Sequence, residues 1–192
     1  QRLLLADAAP RLIFADAEFA RQGGCPADIT VQLEALDQWI AAGAGCGEPA
    51  IPQAEDLFSI IYSSGTTGVP KGIAHSAGAR AEFIHARPRP GFGPGRTSYV
   101  STALYTNFSF LGMITPLYWG AAVSIPARFS VESFFAACEA ERITDVSLVP
   151  VQVKRLMEHP DFDPARIASL QFTMISGSPI DRAVKERLGQ AE

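Results

Sequence analysis

The sequence predicts an α/β fold: a mostly parallel sheet with helices on both faces. Three observations predict it. Short runs rich in β-branched residues recur along the chain, and stretches with a helical apolar period fall between them. The connections are also long enough for the crossovers that parallel strands require. In such sheets ligands bind at the carboxyl ends of the strands.

The predicted strands are RLIFA (11–15), residues 29–33, LFSIIY (57–62), SYVSTAL (98–104), AAVSI (121–125), DVSLV (145–149) and QFTMIS (171–176). LFSIIY is apolar enough to read as a buried strand. A helix over 130–142 starts at Ser130, a good N-cap, and carries Val131, Phe134, Phe135 and Cys138 on one face. Pro150 suits the first turn of a helix bearing Val153, Leu156 and Met157. Ser178-Pro179-Ile180-Asp181 reads as a further helix start, with Ile180, Val184 and Leu188 along one face. Residues 108–119 are apolar almost all round, which predicts a buried helix.

The 192 residues suffice for one good core or two small lobes, and 47% hydrophobic with 19% charged residues is ordinary for a soluble globular protein. The net charge of −4 argues against non-specific nucleic-acid binding. No apolar run reaches the length of a membrane span, and Asp7 follows too soon after the leading leucines for a signal peptide. Cys25, Cys46 and Cys138 are widely spaced, with no CxxC and no Cys/His cluster. They read as reduced thiols of a cytoplasmic protein, not as zinc ligands. The Gly/Pro-rich stretch 41–54 divides an N-terminal segment, 1–50, from a main body, 51–192. Residues 86–97, with Arg87, Arg89 and Arg96, read as a solvated basic loop.

Strand 57–62 runs directly into SSGTTGVPKG (63–72). Gly65, Gly68 and Gly72 free the backbone, so that successive N–H groups can converge on an anion. Ser63, Ser64, Thr66 and Thr67 add hydroxyls, and Lys71 adds a cation. Many donors, a lysine and no carboxylate make a polyphosphate cradle. The NTPase P-loop spacing fails: counting from Gly65, its second glycine position holds Pro70, and Gly72 stands where a hydroxyl should follow the lysine.

SSGTTGVPKG, with AEDLFSIIY leading into it, resembles the phosphate-loop signature of the adenylate-forming enzymes, which include acyl-CoA synthetases and peptide-synthetase adenylation domains. The resemblance implies that Ser63, Ser64, Thr66, Thr67 and Lys71 contact ATP phosphates, with Gly65 and Gly68 allowing the turn. STALYTNFSFLGMITPLYWGAAVSI (101–125) is similar to the family's acyl-pocket segment, with Thr106-Asn107 where a histidine is common. That implies Thr106, Asn107 and Phe108 on the acid. ISGSPI (175–180) resembles the family's adenine turn, which implies Gly177, Ser178 and Pro179 against the nucleotide.

The implied reaction joins a small-molecule carboxylate, fatty acids among them, to ATP with release of pyrophosphate. A thiol, most often that of coenzyme A, then takes the acyl group, and Mg²⁺ accompanies the ATP. The family's Tyr-Gly-x-Thr-Glu motif, its ribose-binding aspartate and its C-terminal domain with the adenylation lysine are not in these 192 residues. The resemblance therefore implies a segment of the large N-terminal domain, missing the remainder of its own chain and inactive by itself. A non-catalytic nucleotide-binding or interaction module derived from the same family stays open. Away from the loop, His75 reads as a partly exposed strand residue, and His85 and His159 as surface residues. Asp161 and Asp163 read as a turn, Lys154 and Arg155 as a solvated helix face, and Trp39 and Trp119 as core or subdomain contacts.

Overall fold

The protein is described by a computed structural model covering residues 2–43, 47–63, 70–86, 92–179 and 182–189. The chain divides into two compact units, Gln1–Gly78 and Ala79–Glu192.

In the first unit, β1 (Ile13–Ala15) and β2 (Thr30–Gln32) form a parallel pair. Helix α1 (Arg2–Ala8) precedes them, α2 (Ala17–Gly23) joins them, and α3 (Leu36–Ala42) follows. Asp16 caps α2 by accepting from the Phe19 N–H at 2.7 Å. Trp39 of α3 stands edge-on to Phe14 at 5.2 Å, yet is 45% exposed, so it is a contact residue more than a core one. A second, antiparallel pair follows: β3 (Leu57–Ser63) and β4 (Lys71–Ser76), with Ser63 opposite Lys71. Here LFSIIY departs from expectation. It is a strand, but Leu57 is 61% and Phe58 50% exposed. An apolar run signals burial when sheet or helix covers both faces, and β3 pairs only with β4 among the described residues.

Helix α4 (Ala77–His85) leads into the second unit. Its sheet has the order β6-β5-β7-β8, all parallel, from β5 (Thr97–Val100), β6 (Ala122–Ser124), β7 (Asp145–Leu148) and β8 (Phe172–Ile175). Helices α5 (Asn107–Tyr118), α6 (Val131–Glu141) and α7 (Pro150–Met157) connect the strands, and α8 (Arg182–Gly189) follows β8. The chain moves one way along the sheet through α5 and the other way through α6 and α7. Right-handed crossovers then place α5 on the opposite face from α6 and α7. The expected parallel sheet with helices on both faces is what forms.

Side chains alternate across each strand, so the two faces differ. Tyr99, Val146 and Leu148 point into the main core with Phe134, Phe135 and Cys138 of α6 and Val153 and Leu156 of α7. The stripe read from 131–138 is thus the buried face, and Ser130 caps it, accepting from the Ser133 N–H at 3.0 Å. The other face presents Ser98, Val100, Asp145, Ser147 and Met174 towards the α5 side, in register across the sheet.

Three expectations shift. Strand 98–104 ends at Val100, where its pairing with β7 ends. Helix α5 is not buried all round: Ser109, Leu111, Thr115 and Pro116 are buried, while Leu117 and Tyr118 are more than half exposed. The last helix is described from Arg182; Ser178 and Pro179 precede it as exposed, irregular chain, and Ile180 and Asp181 lie outside the described residues. No helix among the described residues is long and apolar enough to cross a membrane.

Candidate functional site

The sheet order creates a switch point. The chain leaves β5 towards β6 and β7 towards β8, so the helices that follow diverge to opposite faces and a crevice opens at the carboxyl ends of β5 and β7. A buried polar knot braces it. Ser101 Oγ lies 2.5 Å from the Ser147 carbonyl oxygen and 2.8 Å from Gln152 Oε1. Gln152 Nε2 donates to the Ser101 carbonyl at 2.9 Å, and Gln152 Oε1 accepts the Val149 N–H at 3.0 Å. The last bond puts Gln152 at the third position of α7, reaching back to the helix start as the acidic or amide member of a capping box does.

Next to the crevice, beneath α5 and against β7 and β8, lies a cavity of 460 Å³. Phe83, Phe92, Phe108, Leu111, Phe172 and Met174 give it apolar walls. Asn107 stands at its α5 end near Ile175 and Ser176, where β8 finishes. Pro116 within α5 supplies no N–H to Gly112, four residues earlier, and the Ser98 hydroxyl turns to that carbonyl at 3.4 Å instead. Gly112 is also where α5 comes down on β7: a Cβ there would stand 3.4 Å from Ser147 Oγ.

Thr106 caps α5; its Oγ1 accepts the Ser109 N–H at 3.2 Å. Asn107 Oδ1 accepts from Arg80 Nη1 at 2.6 Å. Arg80 is only 4% exposed, and its guanidinium lies over the Phe110 ring at 5.4 Å. Burial pulls the Arg80 pKa below its ordinary value. Phe108 is half-buried against the cavity. At the end of β8, Gly177 has φ +105°, a conformation that favours glycine, and its turn lies against Val149. Ser178 and Pro179 beyond it are exposed.

The structure therefore brings Asn107 and Phe108 together with the strand end that carries Gly177, all within the second unit. Ser63 and Lys71 belong to the first, where they face each other across the β3–β4 pair, both exposed. A cation and a hydroxyl at the mouth of a glycine-rich loop fit an anionic ligand. Ser64, Gly65, Thr66, Thr67 and Gly68 lie outside the described residues, as do Cys46, Arg87 and Arg89. Among the described residues no group of three or more His, Cys, Asp or Glu could hold a metal ion, so none is assigned to Mg²⁺.

Other side chains depart from the sequence reading. Arg96 is no solvated loop cation: its side chain is 13% exposed and grips Asp145 through Nη2 at 2.7 Å and Nε at 2.9 Å. His159 is not a surface residue either. It is 19% exposed, stands edge-on to Phe135, and contacts Glu132 at 3.1 Å. His85 is exposed, His75 half-buried in β4, and Asp163 caps the turn at Pro164–Ile167, as expected. Lys154 and Arg155 are exposed on α7, and the half-buried Trp119 donates to the Ile84 carbonyl. Arg80 and the cavity wall apart from Asn107 and Phe108 escape sequence reading because their partners are distant in sequence, whereas Gln152, three residues after Val149, carries a local capping signal and only its bonds to Ser101 are long-range.

The model of the AMP-binding enzyme family matches residues 2–191. This chain belongs to that family. Indoleacetate–CoA ligase of Aromatoleum aromaticum is 33% identical over 202 residues, covering 97% of this AMP-binding chain and 39% of that protein. L-proline–[L-prolyl-carrier protein] ligase of Streptomyces coelicolor is 29% identical over 215 residues, covering 97% of the chain and 40% of that protein. The chain thus spans about two-fifths of these relatives. Among solved structures, O-succinylbenzoate coenzyme A synthetase of Bacillus subtilis, in complex with ATP and magnesium ion, superposes with a TM-score of 0.82 at 20% identity, over 99% of this chain and 39% of that one. The N-terminal domain of FACL13 from Mycobacterium tuberculosis gives 0.81 at 19% identity, over 97% and 50%. At these identities the superpositions speak for the shared fold of the AMP-binding chain.

Proposed function

We propose that the protein is an AMP-forming acid–thiol ligase of the acyl-CoA synthetase type. A carboxylate oxygen attacks the α-phosphorus of ATP, pyrophosphate leaves, and the thiol of coenzyme A then displaces AMP from the acyl-adenylate. The observation that carries this reading is the apolar cavity opening beside Asn107 and Phe108 at the strand ends, next to the Gly177 turn. An acid lying there presents its carboxylate where an α/β sheet binds ligands.

On this reading, residues 63–68 with Lys71 hold the β- and γ-phosphates. Gly177, Ser178 and Pro179 lie against adenine, and Thr106, Asn107 and Phe108 border the acid. The loop acts electrostatically, neutralising the departing pyrophosphate. Residues 1–50 belong to the large N-terminal domain and 51–192 form its ATP-binding part. The 192-residue segment is silent alone, and the intact protein is cytoplasmic with Mg²⁺ accompanying its ATP. Indoleacetate and proline in the relatives' names make cyclic acids as reasonable a trial as fatty acids.

The test is pyrophosphate release by the intact protein with ATP, Mg²⁺, coenzyme A and a panel of aryl and aliphatic acids. Release with at least one acid, and its loss by about tenfold or more in Lys71→Ala with the fold retained, is the expected result. No release with any acid overturns the reading.

A further inference from the structure

An asparagine amide carries an acceptor on one side and two donors on the other, and its partner decides which side a ligand meets. Asn107 is the first residue of α5 and borders the cavity where β8 finishes. Its Oδ1 lies 2.6 Å from Arg80 Nη1. A guanidinium has five N–H donors and no acceptor, so the amide atom turned to it is the oxygen. The NH2 group is therefore turned away from Arg80. No other side chain among the described residues bonds the Asn107 amide, and Asn107 is an exposed residue. Its N–H groups are what it offers a ligand.

Arg80 is itself held firmly. It belongs to α4, is 4% exposed, and has its guanidinium over the ring of Phe110, three residues beyond Asn107 on α5. Burying a guanidinium carries a desolvation cost that an apolar side chain of similar volume avoids. Filling space therefore does not account for an arginine here, whereas orienting the first residue of α5 does. The cation also polarises the amide it bonds, which strengthens the N–H groups on the far side as donors.

We propose that Arg80 is a positioning residue for the acid: it fixes the Asn107 amide with the oxygen turned inward, so that Asn107 meets the substrate carboxylate as a donor only. This rests on the proposed acid-binding role of the cavity. It goes beyond that role by assigning a task to a buried side chain that touches no substrate atom. An amide free to flip would also present its oxygen, which repels a carboxylate. Arg80 removes that state, and the carboxylate oxygen is held in one orientation for attack on the α-phosphorus.

The test measures pyrophosphate release by the intact protein with an acid that the wild type accepts. The variants are Arg80→Met, Asn107→Ala, the two together, and Asn107→Asp. Arg80→Met should lower kcat/KM for the acid by about tenfold, with KM for ATP unchanged. In the Asn107→Ala background the same change should cost nothing further, because Arg80 acts through that amide. Asn107→Asp keeps an acceptor for Arg80 but turns an oxygen to the substrate. It should keep its urea midpoint while kcat/KM for the acid falls by about a hundredfold. This variant leaves Arg80 in place, so its outcome stands even where Arg80→Met unfolds. An equal loss from Arg80→Met in both backgrounds, a matching rise in KM for ATP, or an Asn107→Asp enzyme as active as the wild type overturns this inference and leaves the ligase reading standing. Failure of the wild type with every acid of the panel overturns both.

Discussion

Arg96 clasps Asp145 with two prongs, Nη2 to Oδ1 at 2.7 Å and Nε to Oδ2 at 2.9 Å, joining the start of β5 to the start of β7. Thr144 Oγ1 donates to the same carboxylate at 2.6 Å. Both charged side chains are more than four-fifths buried. Removing one member strands the other's charge away from water. Arg96→Met is therefore expected to destabilise by about 3–5 kcal/mol. Urea unfolding of the single variants and of Arg96→Met with Asp145→Leu checks this: the double variant should lose less than the two singles combined. Additive losses would show that the two charges do not sustain one another.

The Ser101–Gln152 knot makes a separate prediction. Gln152→Leu keeps the volume but leaves the Val149 N–H and the Ser101 carbonyl without their side-chain partner. Unsatisfied groups of this kind cost about 1–3 kcal/mol each, and a loss of about 2–4 kcal/mol is expected. Thermal unfolding of Gln152→Leu, Ser101→Ala and the pair measures the coupling. A coupling energy near zero would mean that the crevice is not braced here.

Cys138 predicts a pH effect. Burial, chiefly, pushes its thiol from 9.0 up to about 12. A raised folded-state pKa favours the protonated form, so its contribution is fully present below pH 9 and is lost as pH rises from about 9 towards 12. Stability should fall by at most about 1.4 kcal/mol per pH unit from this group. Denaturant titrations between pH 8 and 11 should show a shallower decline in Cys138→Val than in the wild type. At pH 8 Cys138 should also resist alkylation until the protein unfolds, since it is 3% exposed.

The parts legible in sequence are those that local chemistry specifies. Ser130 signals a cap because its partner is Ser133, three residues on, and Val131, Phe134, Phe135 and Cys138 form a stripe because one helix carries them all. Asn107 and Phe108 were found through the family resemblance, and both meet the cavity. What escaped depends on distant partners. Arg96 looks like a loop cation until Asp145, 49 residues away, arrives beside it. Arg80 gives no sign of burial until Asn107 and Phe110 close over it. LFSIIY misleads in the other direction: its composition suits a sheet centre, while its partnering is that of a hairpin.

The strand order also governs how the second unit comes together. Strand β5 is made first but lies between two strands made later: Ser98 pairs with Asp145, and the Thr97 N–H meets the Thr144 hydroxyl, 47 positions along the chain. No hairpin can seed this sheet. Closing such long loops before any pairing is gained slows folding and leaves apolar strands uncovered in the meantime. The rate-limiting event should therefore be the docking of β7 beside β5, after residue 148 has been synthesised. During translation the window of vulnerability to chaperone capture or aggregation opens at Val100 and closes at Leu148.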